Sequence, residues 1–364
     1  MPAPARNAFI DHLRVLTTGL VILHHTAIAY GGSGGWYWRE QPNASSHLLL
    51  LFNATNQSWF MGFFFLLAGY YTPRSFDRKG PRAYLGDRFI RLGLPLAAYY
   101  FVLHPLTVAL AYPIAGQSFG LRWWNLTKEH EFGPGPLWFA EALLIFALAY
   151  AAWRRWGPGP ARDLAEWPSH RALLLGALGA GLASFLVRFA VPVGHNVFSL
   201  QLGYFPPYIL LFAFGCLAAR SALLERVSYP LARPWLMTSI FSFVGLLVMA
   251  AKPAGQGSFD GGWNLNAAFY ALWDPLIGWG ITLGLLWFFR TRLAGTNPFA
   301  DALARRAFGA YIVHPPVVVA LCLLARGWTA APLLKFTVVG ALACAASFAV
   351  ASVLLLVPGV KKVI

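Results

Sequence analysis

The sequence predicts an all-α polytopic membrane protein of about ten transmembrane helices, with both termini in the cytoplasm. Three observations carry this reading. Of 364 residues, 58% are hydrophobic and only 11% charged, against about 25% charged in a soluble domain. Apolar runs recur from end to end, each long enough to cross a hydrocarbon core of ~30 Å. They lack the ~10-residue alternation of barrel strands, so helices are the expected way to satisfy the backbone in lipid. No stretch reads as a soluble domain, and residues 1–364 are expected to form one integral-membrane domain.

In order, the apolar runs predict spans at roughly 8–30, 46–72, 89–113, 136–153, 171–192, 203–220, 234–251, 265–290, 306–325 and 331–357. The charge distribution orients them. The net charge is +15, which in a soluble chain would point to nucleic acid. Here the cations sit in short loops between apolar spans, and no nucleic-acid partner is expected. With the N-terminus in the cytoplasm and ten crossings, 21 of the 28 lysines and arginines fall on the cytoplasmic side, as the positive-inside rule requires. An odd span count would scramble that asymmetry.

The first span carries a signal-peptide-like core, VLTTGLVIL, and an Ala27-Ile28-Ala29 resembling a cleavage site. Asp11, Arg14, His24 and His25 interrupt or flank that core, so the helix is expected to be retained. The non-cytoplasmic loops are aromatic: Trp36, Tyr37 and Trp38 in the first, Trp123 and Trp124 in the second, Trp263 in a later one. Such residues read either as an interfacial belt or as a stacking surface for a sugar-like acceptor. Cys216, Cys322 and Cys344 lie inside apolar spans without metal-ligand or disulfide spacing.

Ionisable residues inside a span are costly and mark function by default. On an ideal helix Arg14 and His25 lie within about 20° of the same face and ~16 Å apart along the axis. Asp11 lies on nearly the same stripe, one turn from Arg14, and can pair with it. A guanidinium at the membrane surface can grip phosphate, and a ligand with phosphates at one end and a reactive group at the other could lie along this face. Acyl-coenzyme A has that shape. A second cluster, TPRSFDRKGPRAYLGDRFIRLGLP, ends in Arg88 and Arg91, three apart at a helix start and a plausible phosphate site. A third, AFGAYIVHPP, places His314 in the ninth span beside Pro315 and Pro316, which free carbonyls for a neighbour to satisfy. Glu141 and Asp274 are further intramembrane acids. The histidines are scattered without zinc-helix spacing, so no metal is expected, and no GxSxG elbow occurs.

At these residues the chain resembles the acyltransferase-3 family of bacterial membrane acyltransferases. FIDHLRVLTTGLVILHH is similar to that family's opening helix, with its Arg-x10-His spacing at Arg14 and His25. MGFFFLLAGYYTPRSFDRKG and YLGDRFIRLGLPL are similar to its second helix and Arg-x-x-Arg motif at Arg88 and Arg91. GPLWFAEALLIF, YFPPYILLFAFGCLAAR and GAYIVHPPVVV resemble its middle and late helices, in an order similar to that of the branch that decorates periplasmic glucans.

The resemblance implies a bacterial inner-membrane enzyme. It would move an acyl group, acetyl or succinyl, from cytoplasmic acyl-CoA to a hydroxyl of a glycan or lipid-linked acceptor on the opposite face. It implies His25 as the essential residue and Arg14, Arg88 and Arg91 as donor-binding or structural partners. Many members carry a fused extracytoplasmic domain. No stretch of this sequence reads as one, so the chain is expected to act alone or with a separate partner.

The chemistry of the residues agrees. A neutral histidine, favoured by a low-dielectric surrounding, can take the proton of a hydroxyl attacking a thioester, and an acyl-histidine is the covalent alternative. Asp11 would orient Arg14, and His314 or Tyr311 would supply an oxyanion donor. The rival reading is a transporter or flippase of a lipid-linked or small polar substrate, which also uses intramembrane charge and broken helices. It favours inverted repeats, and none is evident.

Overall fold

The computed structural model describes residues 7–41, 46–157, 163–250 and 257–363. Arg6, Arg162 and Lys252 of the charge count lie outside the described residues, as do residues 42–45 of the first loop. The fold is all-helical. The only extended pairing among the described residues is an isolated bridge between Val197 and Leu200.

Among the described residues, and apart from short 3-10 turns, twelve helices follow in order: α1 Ala8–Ala29, α2 His47–Gln57, α3 Phe60–Lys79, α4 Pro81–Ala111, α5 Phe119–Lys128, α6 Trp138–Trp156, α7 His170–Ala190, α8 Phe205–Ala218, α9 Tyr229–Ala250, α10 Leu265–Arg292, α11 Pro298–Leu324 and α12 Pro332–Leu354. Seven are long and apolar enough to cross a membrane: α4, α6 with its leading turn from Gly135, α7, α9, α10, α11 and α12. The other three sequence-derived spans map to α1, to the α2–α3 pair and to α8. The ionisable residues of α1 lower its hydropathy, α8 is only 14 residues long, and span 46–72 is two helices broken at Ser58–Trp59.

α4 is a continuous helix with two π-turns, Phe89–Gly93 and Tyr99–Leu103. Each lies just before a proline, Pro95 and Pro105. A proline removes the N–H for the carbonyl four residues back and pushes that carbonyl aside. Those carbonyls belong to Arg91 and Phe101, so both widenings have a local sequence cause.

The chain packs as two compact units of interleaved segments. The first comprises residues up to Leu13, Gln57–Tyr84 and Ala149–Asn297. Its helices approach through glycine, as membrane helices do when packing must replace hydrophobic drive. A Cβ at Gly69 of α3 would overlap the Phe212 carbonyl of α8, and one at Gly215 would overlap the Leu66 carbonyl of α3. Gly280 of α10 meets the Trp235 carbonyl of α9 in the same way. Inside this unit Arg188 of α7 is fully buried and donates from Nη2 to Asp274 of α10 at 2.8 Å and from Nε to the Gly203 carbonyl at 3.0 Å. The rings of Tyr204 and Tyr270 lie 4.9 and 5.1 Å from its guanidinium. At the C-terminal end of α3, Asp77 accepts from Arg154 at 2.8 Å and Arg220 at 2.7 Å. Partial burial would raise the Asp77 carboxyl, but hydrogen bonds and charge from both arginines hold it below its ordinary value of 3.8.

The second unit comprises Arg14–Asn56, Leu85–Leu148 and Pro298–Ile364. Its core joins α1, α2, α11 and α12 through Ile22, Leu49, Val318, Cys322, Val339 and Ala343. Asn53 and Asn56 of α2 donate to the carbonyls of His24 and Leu20 on α1, both at 3.2 Å. These bonds give α2's polar residues partners and fix how α1 presents its histidines.

Candidate active site

The second unit brings together two histidines that are 289 residues apart in sequence. His25 Nδ1 lies 2.9 Å from His314 Nε2, and His314 Nδ1 lies 2.6 Å from the Tyr311 carbonyl. His314 is fully buried and His25 half-buried.

The sequence explains the second contact. Pro315 has no N–H, so it leaves unbonded the carbonyl four residues before it, which is that of Tyr311. His314 fills the vacancy.

The network then assigns both tautomers. A carbonyl only accepts, so His314 Nδ1 carries the proton. Its Nε2 is therefore the bare nitrogen of the neutral ring and must accept, so His25 Nδ1 donates. That leaves His25 Nε2 with its lone pair and no proton. A lone pair held at a fixed angle on a half-buried ring is what a general base or an acyl-accepting nucleophile requires.

The loop after α1 closes over this pair. Gly31 and Gly34 adopt positive φ values of 116° and 123°, which lets the chain turn back on itself. Trp36 then stacks on His25 with ring centroids 4.2 Å apart and planes 14° apart. Tyr37 sends its hydroxyl into α4, 2.9 Å from both Tyr99 Oη and His104 Nδ1. Glu40 pairs with Lys335 of α12 at 2.5 Å, and its N–H donates to the Ala29 carbonyl at 3.0 Å. Gly135 completes the floor with φ +46°, and a Cβ there would overlap the Tyr37 hydroxyl.

The remaining sequence-derived residues are distributed as follows. Tyr311 is buried, and its hydroxyl donates to the Pro136 carbonyl. Arg14 is half-buried on α1, whose continuity from Ala8 to Ala29 preserves the ~16 Å axial spacing to His25. Asp11 lies half-buried in the first turn of that helix. Arg88 is half-buried just before the first π-turn of α4. Arg91 lies inside that turn with a side chain 58% exposed, its Nε donating to Asp87 at 3.1 Å. The two arginines thus have different surroundings, because the π-turn begins between them. Glu141 is half-buried in the first turn of α6, and Asp274 is taken by Arg188.

Trp36 and Tyr37, expected from the sequence as belt or stacking residues, fold inward, and Tyr99, His104 and Arg188 carried no expectation of a functional role. Trp36 lies against His25 itself, whereas Trp124 and Trp263 are 56% and 77% exposed and fit a belt. The Tyr37–Tyr99–His104 cluster left one signal, the paired Tyr99 and His104 beside Pro105. Arg188 was readable as an arginine inside SFLVRFAVP. Among the described residues no three histidine, cysteine, aspartate or glutamate side chains are grouped to hold a metal ion.

Comparison with known proteins adds the family. No curated protein and no solved structure matches this chain. The acyltransferase-3 family, Acyl_transf_3, described as an acyltransferase domain, matches residues 7–355. An all-helical fold with seven apolar membrane-length helices fits an integral membrane protein. On that match the chain belongs to the acyltransferase-3 family, and membership supports a membrane acyltransferase activity.

Proposed function

We propose that the protein is an O-acyltransferase. It moves an acetyl or succinyl group from acyl-CoA to a hydroxyl of an envelope glycan or related acceptor in the bacterial inner membrane. His25 Nε2 acts as the general base. The observation that carries this reading is the chain from His25 Nδ1 through His314 to the Tyr311 carbonyl. With both rings neutral, this chain supports a His25 Nε2 that carries no proton, and His25 is the histidine that the family resemblance implies is essential.

The step balances without a metal or redox partner. The acceptor hydroxyl attacks the thioester carbonyl as its proton passes to His25 Nε2. The tetrahedral intermediate collapses, the C–S bond breaks, and the leaving thiolate takes that proton back. While His25 is protonated at both nitrogens, its Nδ1–H donates to His314 Nε2, so His314 spreads the charge and keeps the ring from turning. His314 is therefore a positioning residue, and Tyr311 positions His314 through its carbonyl.

Arg14 grips the phosphates of the donor at the N-terminal end of α1, about 16 Å from His25 on the same helix. Arg88 contributes to that grip. Arg91, already held by Asp87 and largely exposed, contributes less. Asp11 orients Arg14. The donor enters from the side of the N-terminus, and the acceptor meets His25 from the other.

Proteoliposomes given acyl-labelled acyl-CoA and an envelope-glycan acceptor test the reading. Label should appear covalently on the acceptor, and His25→Ala should abolish transfer while the protein remains monodisperse. Label moved across the bilayer without transfer would instead make the protein a transporter. Rapid quenching separates the two roles open to His25 Nε2: a general base leaves no labelled enzyme, and an acyl-accepting nucleophile leaves labelled His25.

A further inference from the structure

An acyl transfer of this kind needs a donor for the oxyanion that forms at the carbonyl carbon. The hydroxyls and N–H groups around His25 are mostly committed. His314 spends Nδ1 on the Tyr311 carbonyl and Nε2 on His25. The Tyr311 hydroxyl is spent on the Pro136 carbonyl. The Tyr37 hydroxyl lies between Tyr99 and His104.

Trp36 is different. Its ring lies flat on His25, and its Nε1 is shielded from solvent with no hydrogen-bond partner. A buried indole N–H usually finds an acceptor, and leaving it unpaired costs about 1–3 kcal/mol. That cost is borne on a ring stacked against His25, on a loop pinned by the Glu40–Lys335 ion pair and the Tyr37 hydroxyl. An aromatic used only for packing would leave no such vacancy if it were phenylalanine.

We infer that the Trp36 Nε1–H is the oxyanion donor of this active site, an assignment that rests on the acyltransferase reading above. As the acceptor oxygen bonds to the carbonyl carbon, the carbonyl π pair moves onto oxygen and that oxygen accepts the Trp36 N–H. The bond is released when C=O re-forms and the thiolate departs. The two rings are nearly parallel, so the attacking hydroxyl would lie at the edge of the imidazole plane and the oxyanion at the edge of the indole plane, where the N–H points. Because Trp36 is fixed to His25, donor and base move as one body. The ground-state carbonyl need not reach the indole, so the interaction belongs to the transition state.

The test replaces Trp36 in two ways in the full-length protein in proteoliposomes. Trp36→Phe keeps an aromatic ring and removes the N–H. Substitution of Trp36 by 3-benzothienylalanine, which carries sulfur in place of the N–H, keeps the size of the indole as well. Both should lower kcat by about 10²-fold, with the KM for acyl-CoA and the thermal stability near those of the unmodified protein. Wild-type kcat in either variant would overturn the assignment, since an isostere that restores activity shows that packing alone mattered. His25→Ala is run alongside. If it transfers acyl groups normally, the reading of His25 as base fails. If it is inactive while the benzothienyl protein is fully active, only the role of Trp36 fails.

Discussion

The two units each bury a polar centre, and the two centres are finished differently. In the first unit Arg188 is fully enclosed, its Nε and Nη2 bonded, its Nη1 without a hydrogen-bond partner, and its faces covered by Tyr204 and Tyr270. In the second, His25 Nδ1 and His314 Nε2 are joined by a hydrogen bond, and the tautomers that it favours leave His25 Nε2 without a proton. A buried charge must be surrounded, because an uncompensated charge in lipid is expensive. A neutral imidazole pair can leave one site free at little cost, and chemistry needs that free site. On the proposed function, the difference separates a centre that joins helices from one built to react.

The sharpest way to break this comparison is to cut each centre once. Arg188→Leu should destabilise the protein by roughly 3–5 kcal/mol, because it strands the Asp274 carboxylate. His25→Ala should cost far less stability and all of the transfer activity. Thermal unfolding in detergent, paired with an acyl-transfer assay, reads both. A stable Arg188→Leu protein would mean that the ion pair is not the clamp between α7 and α10.

A finer cut goes through Pro315. Pro315→Ala supplies an N–H that competes with His314 for the Tyr311 carbonyl. Transfer should slow by about tenfold, the worth of one hydrogen bond of ~1.4 kcal/mol, while the helix itself gains a bond. Unchanged kcat would show that the tautomer of His314 does not depend on that carbonyl.

The smallest expected effect is at Asp77. Its folded-state carboxyl is held below its ordinary value, so its contribution to stability is present above the usual carboxylate range. It is lost as pH falls through the depressed folded-state value. Asp77→Asn should cost under about 1 kcal/mol at neutral pH, as befits a half-exposed cluster, and should flatten stability between that depressed value and the carboxylate range. An unchanged acid limb in denaturation curves would remove Asp77 from the account.

The membrane class and the spacing of Arg14 and His25 were legible because period and hydropathy are local properties. The prolines beside His314 announced a free carbonyl before any contact was visible. The meeting of His25 with His314 was not legible, since nothing in two distant segments encodes their pairing. Span 46–72 reads as one helix because Ser58 and Trp59 carry no breaker signal. The turn there is accommodated by Gly278, where a Cβ would overlap the Ser58 carbonyl. Trp36 was read with the other loop tryptophans because composition does not distinguish a ring folded inward from one facing lipid. Arg188 was absorbed into a charge count, although its apolar neighbours on α7 marked it as an arginine needing a partner.

The central claim is that a carbonyl freed by Pro315 fixes two tautomers in series and leaves His25 Nε2 bare. Solid-state 15N NMR of the histidine-labelled protein in bilayers, with His25 assigned by difference against His25→Ala, measures this directly at neutral pH. The account predicts a protonated Nδ1 and an unprotonated Nε2 on His25, with the same pattern on His314. A proton on His25 Nε2 would contradict it.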